Sequence, residues 1–263
     1  MKKQDVLYWV TILSACTMGE TAGDFLSFGL NLGYGWSSVI LISILVFALV
    51  LEALAKVQNE ARYWTTIVIM STTGTAMADF LTRTLKLGYG GGSALLTAIF
   101  AIIYFIGRRK NKKHTHLSES VLPHIEINNR TKGLPETDAL YWAAILVAST
   151  FGTTMGDFVS DVLNFGFGMG SIFLGSLLVF VLFFEFRAKV PNKPRYWSAL
   201  VITSTIGATL GDYLTKEDAL NLGYGRGMAI LVGVFALIYL IGRSRKPLVA
   251  VADGSILPHV EID

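Results

Sequence analysis

Four stretches of the chain, 37–51, 92–107, 171–184 and 227–242, contain no charged residue at all. With their flanks they approach the ~20 residues that cross ~30 Å of hydrocarbon. A backbone in lipid must satisfy its polar groups internally, so these stretches are expected to be helices. Before each lies a stretch of another kind, in which small, hydroxylated and acidic residues interrupt the apolar ones at helical spacing. The alternation predicts eight membrane-spanning helices, at 6–29, 37–56, 62–86, 92–108, 139–163, 171–189, 195–216 and 226–243. Striped and plain helices take turns along the chain.

The pattern repeats at two levels. Trp9 to Trp64 and Trp142 to Trp197 are both separations of 55 residues, and Trp9 to Trp142 is one of 133. Each 55-residue unit holds one striped helix, one glycine turn and one plain helix. The expected organisation is a first pair of units at 1–110, a cytoplasmic linker at 111–138, a second pair at 139–246 and a cytoplasmic tail at 247–263. Because each unit has two spans, all four units share one orientation. Repeats of that kind are related by an axis along the membrane normal. The expected fold is therefore all-α and polytopic, four parallel two-helix repeats about such an axis.

Composition agrees: 52% of the residues are hydrophobic, 16% are charged and the mean hydropathy is +0.54. Lys and Arg set the orientation. Arg62, Arg187, Lys189, Lys193, Arg195, the run Arg108 to Lys113, and Arg243 to Lys246 flank one side of the helices. The turns after Gly29 and after Asp161 have no base, while Lys86 and Arg226 are exceptions near outer turns. Both termini are thus expected in the cytoplasm. No small-residue cleavage site follows the first apolar stretch, so the first helix is expected to remain as an anchor. The net charge of +3 reflects this topology, not nucleic-acid binding. The single cysteine, Cys16, excludes an intramolecular disulfide.

The chemistry lies in the stripes. Each contains Gly-x-x-x-(Gly/Ala)-Asp-(Phe/Tyr), with its aspartate fifteen residues after a Tyr-Trp pair: Asp24, Asp79, Asp157 and Asp212 follow Trp9, Trp64, Trp142 and Trp197. A carboxylate is expensive in hydrocarbon, and an ionisable residue there marks a functional site by default. Three residues after the aspartate stand Ser27, Thr82, Ser160 and Thr215; seven before stand Thr17, Thr72, Thr150 and Thr205. Four and three before come Glu20-Thr21, Thr75-Ala76, Thr153-Thr154 and Ala208-Thr209. These offsets share one helix face. Hydroxyl and carboxylate oxygens suit hard cations such as Mn²⁺, Mg²⁺ or Ca²⁺. Small residues and Ser/Thr are also ordinary packing glue between membrane helices, but packing needs no charge. At ~1.5 Å per residue the aspartates stand ~22 Å from the Trp belt, in the outer half of the bilayer.

The four copies differ one turn after the aspartate, where Phe28, Arg83, Asp161 and Lys216 stand. The expectation is two-fold chemistry on a four-fold scaffold. Asp79 with Arg83 and Asp212 with Lys216 would form structural ion pairs. Asp24 with Glu20, and Asp157 with Asp161, would bind the cation, with Thr17 and Thr150 beside them. Crowded carboxylates share protons, which would couple proton release to metal binding.

Other motifs carry less. The turns Gly33-Tyr34-Gly35, Gly88-Tyr89-Gly90, Gly166-Phe167-Gly168 and Gly223-Tyr224-Gly225 invite comparison with a potassium-channel filter. They read first as tight turns with an interfacial aromatic, since no pore helix and no preceding Thr-Val accompany them. Glu52 and Glu185 each precede a Lys and then an Arg-Tyr-Trp. They read as interfacial salt bridges with snorkelling bases, or as a cytoplasmic gate. An echo, Val121 to Ile127 and Ile256 to Ile262, brings in His124, Glu126, His259 and Glu261. It reads as paired extended segments rather than a metal or proton site.

The Tyr-Trp start, the aspartate motif and the four two-helix units resemble a bacterial membrane-protein family catalogued as a tandem repeat of unknown function. The resemblance covers nearly the whole chain outside the linker and tail. It implies a multi-pass protein of the bacterial inner membrane and confers no activity of its own. Glu20-Thr-Ala-Gly-Asp24 is also similar to the Glu-x-Gly-Asp signature of a manganese and calcium transporter family, with one extra residue and without the basic residue that follows there. The function expected is transport of a cation, foremost proton-coupled export or exchange of a hard divalent metal such as Mn²⁺. The alternatives are a monovalent-cation channel built on the four turns and a non-transporting scaffold or sensor. No His-Glu-x-x-His, Gly-x-Ser-x-Gly or membrane-level histidine is present, so an enzyme is not expected. Partners would be the lipid bilayer and a small cation, with self-association left open; no cofactor is expected beyond a bound divalent cation.

Overall fold

The computed structural model describes residues 4–55, 59–115, 134–135, 137–187, 193–216 and 220–244. Among these residues there are eight α-helices and no strand: α1 (Val6–Asp24), α2 (Gly33–Leu54), α3 (Glu60–Asp79), α4 (Gly88–Thr115), α5 (Ala139–Asp157), α6 (Gly166–Arg187), α7 (Lys193–Thr215) and α8 (Tyr224–Ser244). The starts of the striped helices are written in side chains. Asp5, Asn59 and Asp138 cap α1, α3 and α5, accepting from the amides of Tyr8, Ala61 and Tyr141 at 2.8 Å each. Such caps satisfy backbone donors that the first turn leaves open.

Three striped helices change their winding immediately after the motif aspartate. Phe25–Gly29, Phe80–Thr84 and Phe158–Val162 are π-helical turns, whereas α7 stays α-helical to Thr215. π-turns of this kind are frequent at functional positions. The connection that follows uses two left-handed residues two positions apart. Asn31, Lys86, Asn164 and Asn221 have φ of 50–57°, and Gly33, Gly88, Gly166 and Gly223 have φ of 65–73°. A left-handed φ is strained for most side chains and nearly free for glycine, so the first glycine of each Gly-aromatic-Gly triplet is fixed by backbone geometry. The plain helices consequently begin at 33, 88, 166 and 224, earlier than the 37, 92, 171 and 226 expected from hydropathy, and the aromatic lies in their first turn. At its other end α4 runs to Thr115, beyond residue 108 and into the stretch read as linker.

The eight helices form two concentric layers. The striped helices α1, α3, α5 and α7 make the inner ring: α1 packs on α3 and α7, and α5 on the same two. The plain helices surround it, but each leans on the inner helix of the following unit: α2 on α3, α4 on α5, α6 on α7, and α8 on α1. The last contact joins the fourth unit to the first and closes the ring. Close approach at each inner seam depends on a glycine five residues before the aspartate. A Cβ on Gly19 would meet the Ser71 side chain, one on Gly74 would lie 2.7 Å from Ser149 Cβ, one on Gly152 2.7 Å from Ser204 Cβ, and one on Gly207 would meet Cys16. All four seams use the same device.

The outer layer is inverted relative to a water-soluble protein. On α2 the buried side chains are Ser37, Ser38, Leu41 and Leu45, while Trp36, Phe47 and Leu54 face outward. On α6, Gly170, Ser171, Leu174, Leu178 and Glu185 are buried, while Ile172, Val179 and Phe180 are exposed. An apolar surface of this extent belongs against lipid. Among the described residues five helical stretches, Gly33–Leu54, Gly88–Gly107, Ala139–Val162, Gly166–Arg187 and Tyr224–Ser244, are long and apolar enough to cross a membrane. They include all four outer helices. α1, α3 and α7 fall outside this group because their polar stripes dilute the hydropathy, and the ring shields those stripes. The chain is an all-α, multi-pass membrane architecture made of tandem repeats.

Candidate cation site

The stripe divides into two faces inside the ring. Side chains four residues before the aspartate, and the aspartate itself, point to the ring axis. Thr75 and Thr153 donate to Glu20 Oε2 at 2.9 and 2.6 Å, so α1, α3 and α5 meet at one carboxylate oxygen. Side chains three before the aspartate instead face the outer layer. Ser93 of α4 bonds Thr154 at 3.3 Å, Ser171 of α6 bonds Thr209 at 2.9 Å, and Ser38 of α2 donates to the Ala76 carbonyl at 3.0 Å. The hydroxyls seven before the aspartate serve their own helices. Thr17 and Thr150, expected beside the cation, donate to the Leu13 and Leu146 carbonyls at 2.9 Å. Their backbones are the surfaces on which Gly207 and Gly74 dock, which places them in helix seams rather than among the carboxylates.

All four motif aspartates are buried at one end of the ring, next to the Gly-aromatic-Gly turns. Asp79 Oδ1 pairs with Arg83 Nε at 2.9 Å, and Asp212 Oδ2 with Lys216 Nζ at 2.7 Å. The two-fold division expected from sequence fails at the third copy. Asp157 lies between both bases, 3.6 Å from Arg83 Nη2 and 4.0 Å from Lys216 Nζ. The i,i+4 rule sees only partners on the same helix, whereas the closed ring brings Arg83 from α3 and Lys216 from α7 to the α5 carboxylate. Asp161, expected to join Asp157, is exposed.

Among the described residues, the motif aspartate that remains without a base is Asp24. Ligand oxygens of Glu20, Asp24 and Asp212 lie within 4.8 Å of one another, and the three residues are 4%, 3% and 2% exposed. Asp24 Oδ2 and Asp212 Oδ1 are buried without a hydrogen-bond partner among the described residues. Among the described residues this end of the axis thus gathers five buried carboxylates (Glu20, Asp24, Asp79, Asp157 and Asp212) around two bases, Arg83 and Lys216. An unbalanced charge cannot persist in a low-dielectric interior; the excess must be met by protons or by a cation. The donor set is all oxygen, with Thr75 and Thr153 at its base. That suits a hard ion and gives a soft one nothing to hold.

Above this cluster the axis is covered. Arg83 Nη1 donates to Tyr34 Oη at 3.2 Å and its guanidinium lies 5.6 Å from the Tyr34 ring and 6.0 Å from the Tyr89 ring. Lys216 Nζ sits 4.5 Å from the Phe167 ring. Phe28 stacks on Tyr224 with centroids 5.5 Å apart and meets Tyr34 edge-on at 5.4 Å. The aromatics of the four turns therefore make a crown over the acids. Their glycine carbonyls serve the helices instead: Gly33 O accepts from Ser37 Oγ at 2.7 Å and Gly223 O from the Gly227 amide at 2.9 Å.

The other end of the axis is formed by the four Tyr-Trp pairs. The hydroxyls of Tyr8, Tyr63, Tyr141 and Tyr196 bond in a closed square, with edges of 2.9, 2.7, 3.1 and 2.8 Å taken in ring order. Trp64, Trp142, Trp197 and Trp9 brace it, each 5.6–5.7 Å from the tyrosine of a neighbouring unit. The signal was there: the tyrosine precedes the belt tryptophan in all four units. Glu52 and Glu185, the candidate gate, sit on outer helices. They pair with Arg62 and Arg195 at 3.6 and 2.8 Å, at the joints between α2 and α3 and between α6 and α7. His124, Glu126, His259 and Glu261 lie outside the described residues.

Neither the curated proteins nor the solved structures contain a significant match to the chain. A family profile, Repeat of Unknown Function (DUF347), matches at residues 7–58, 62–112, 140–190 and 195–246. Each match spans one striped helix and the plain helix after it, so the chain belongs to the DUF347 family of tandem repeats.

Proposed function

We propose that this protein carries a hard divalent cation, of which Mn²⁺ is the model, across the membrane in exchange for protons. One observation carries the reading: Glu20, Asp24 and Asp212 converge in a buried, oxygen-only cluster where, among the described residues, two carboxylate oxygens lack partners and acids outnumber bases. Carboxylates must shed protons to ligate a metal, so cation and protons compete for the same oxygens and binding of one releases the other. In this reading all eight helices span the bilayer and the ring axis runs along the membrane normal. Both termini face the cytoplasm of a bacterial cell, in its inner membrane. The tyrosine square then closes the cytoplasmic end and the aromatic crown the outer end, which is an occluded state of a carrier. Alternating access would open one closure at a time.

The test is flux in proteoliposomes across a panel of cations, with and without a pH gradient. The proposal expects Mn²⁺ movement that a proton gradient accelerates and that weakens as the pH falls. Absence of flux for every cation, with the protein folded, would favour a scaffold whose aspartates only tie helices together.

A further inference from the structure

Lys216 occupies the cation site from inside, and this inference rests on the carrier reading above. Its ammonium is 2.7 Å from Asp212 Oδ2, and Asp212 is one of the three clustered acids. A second acceptor, Asp157 Oδ1, stands 4.0 Å away, and the Phe167 ring lies 4.5 Å from the same nitrogen. Arg83 is placed differently. It pairs with Asp79 at 2.9 Å and Asp157 at 3.6 Å, neither of them in the Glu20–Asp24–Asp212 group, and is fixed by its bond to Tyr34. A lysine is a compact point charge on a flexible stem, able to shift between neighbouring acceptors where an arginine fork is held.

We propose that Lys216 is a tethered competitor for the transported cation. Its ammonium holds Asp212 in the structure seen here. When a divalent ion engages Glu20, Asp24 and Asp212, Lys216 transfers its contact to Asp157, where the Phe167 face and the second carboxylate receive it. As the ammonium returns to Asp212 it displaces the ion. Lys216 therefore keeps affinity moderate and makes release possible, and Asp157 acts through Lys216 rather than as a ligand. Site balance follows: either the metal or the ammonium neutralises Asp212, and the charge of Lys216 is never left without a partner.

Mn²⁺ titration of the purified full chain in detergent, followed by flux in proteoliposomes, tests the role. Lys216→Met should bind Mn²⁺ about tenfold tighter or more, the size that coupled neighbouring sites reach, and should transport it more slowly because release is impaired. Lys216→Arg keeps the charge but not the freedom to shift to Asp157, so it should stay on Asp212 and bind Mn²⁺ more weakly than wild type. Asp157→Asn removes the alternative acceptor, holds Lys216 on Asp212 and should weaken binding, whereas the Asp157→Asn, Lys216→Met double variant should bind as tightly as Lys216→Met alone. Unchanged or weaker binding in Lys216→Met, with its melting temperature kept, overturns the competitor role; so does a double variant that binds no better than Asp157→Asn. If Lys216→Met fails to fold, an Asp157→Asn protein with wild-type affinity overturns it independently. Failure of wild type and every variant to bind Mn²⁺ overturns the carrier reading together with this one. Wild-type binding that Asp24→Asn abolishes and Lys216→Met leaves unchanged overturns the competitor role alone.

Discussion

The two ends of the inner ring are built from the same repeat and obey opposite rules. At one end four tyrosines, one per unit, close a square of hydroxyl bonds with edges of 2.7–3.1 Å. At the other, four aspartates stand at equivalent positions, but their surroundings differ: Glu20 is added in one unit, Arg83 in another and Lys216 in a third. A square of identical donors and acceptors needs four equal members, because each hydroxyl gives one bond and takes one. A ring of four equal carboxylates would be mutually repulsive and unbalanced, so the units had to diverge there. Symmetry is kept where the task is closure and broken where charge must be balanced. The chemistry is to be sought where the repeats disagree.

The most severe way to break that comparison is to deny both ends their shared frame. Gly207 meets Cys16 across the α1–α7 seam so closely that even a methyl group would clash. Gly207→Leu should therefore destabilise by more than ~3 kcal/mol, in the upper range for overpacking. Size-exclusion chromatography in detergent should show aggregation or loss of the folded peak. Breaking only the unequal end calls for Glu20→Gln. The amide keeps the shape and the bonds from Thr75 and Thr153 but removes one charge of the cluster. Affinity for Mn²⁺ should fall about a hundredfold, a few kcal/mol on the scale of a lost charged partner, with melting temperature little changed or raised. Breaking only the equal end calls for Tyr63→Phe, which removes two edges of the square. The buried hydroxyls left behind cost about 1–3 kcal/mol, read as a lower melting temperature, while Mn²⁺ affinity should stay at the wild-type value.

The same contrast explains what could be read from the sequence. Helix number, the 55-residue units and the burial of the aspartates follow from hydropathy and motif spacing, because lipid forces a regular answer. Hydropathy places the start of α2 later than Gly33, because the left-handed φ of Asn31 and Gly33 is a backbone property that it does not register. The site was half legible. Glu20 and Asp24 share a helix and their spacing announces them. Asp212 joins them, and Asp157 meets Arg83, only through ring closure between α1 and α7 and between α3 and α5. No periodicity along one helix can show which neighbour a carboxylate will face. The tyrosine square is illegible along the chain for a related reason: four hydroxyls 55, 78 and 188 residues apart find one another only around the closed ring.

The central claim is that the unequal end binds a hard divalent cation through Asp24 with Glu20 and Asp212, while the equal end only closes the ring. Isothermal titration of Mn²⁺ into purified wild type, Asp24→Asn and Tyr63→Phe at one pH tests it most directly. The account predicts saturable binding with proton release in wild type and Tyr63→Phe, and none in a folded Asp24→Asn. Equal binding by Asp24→Asn and wild type would contradict it.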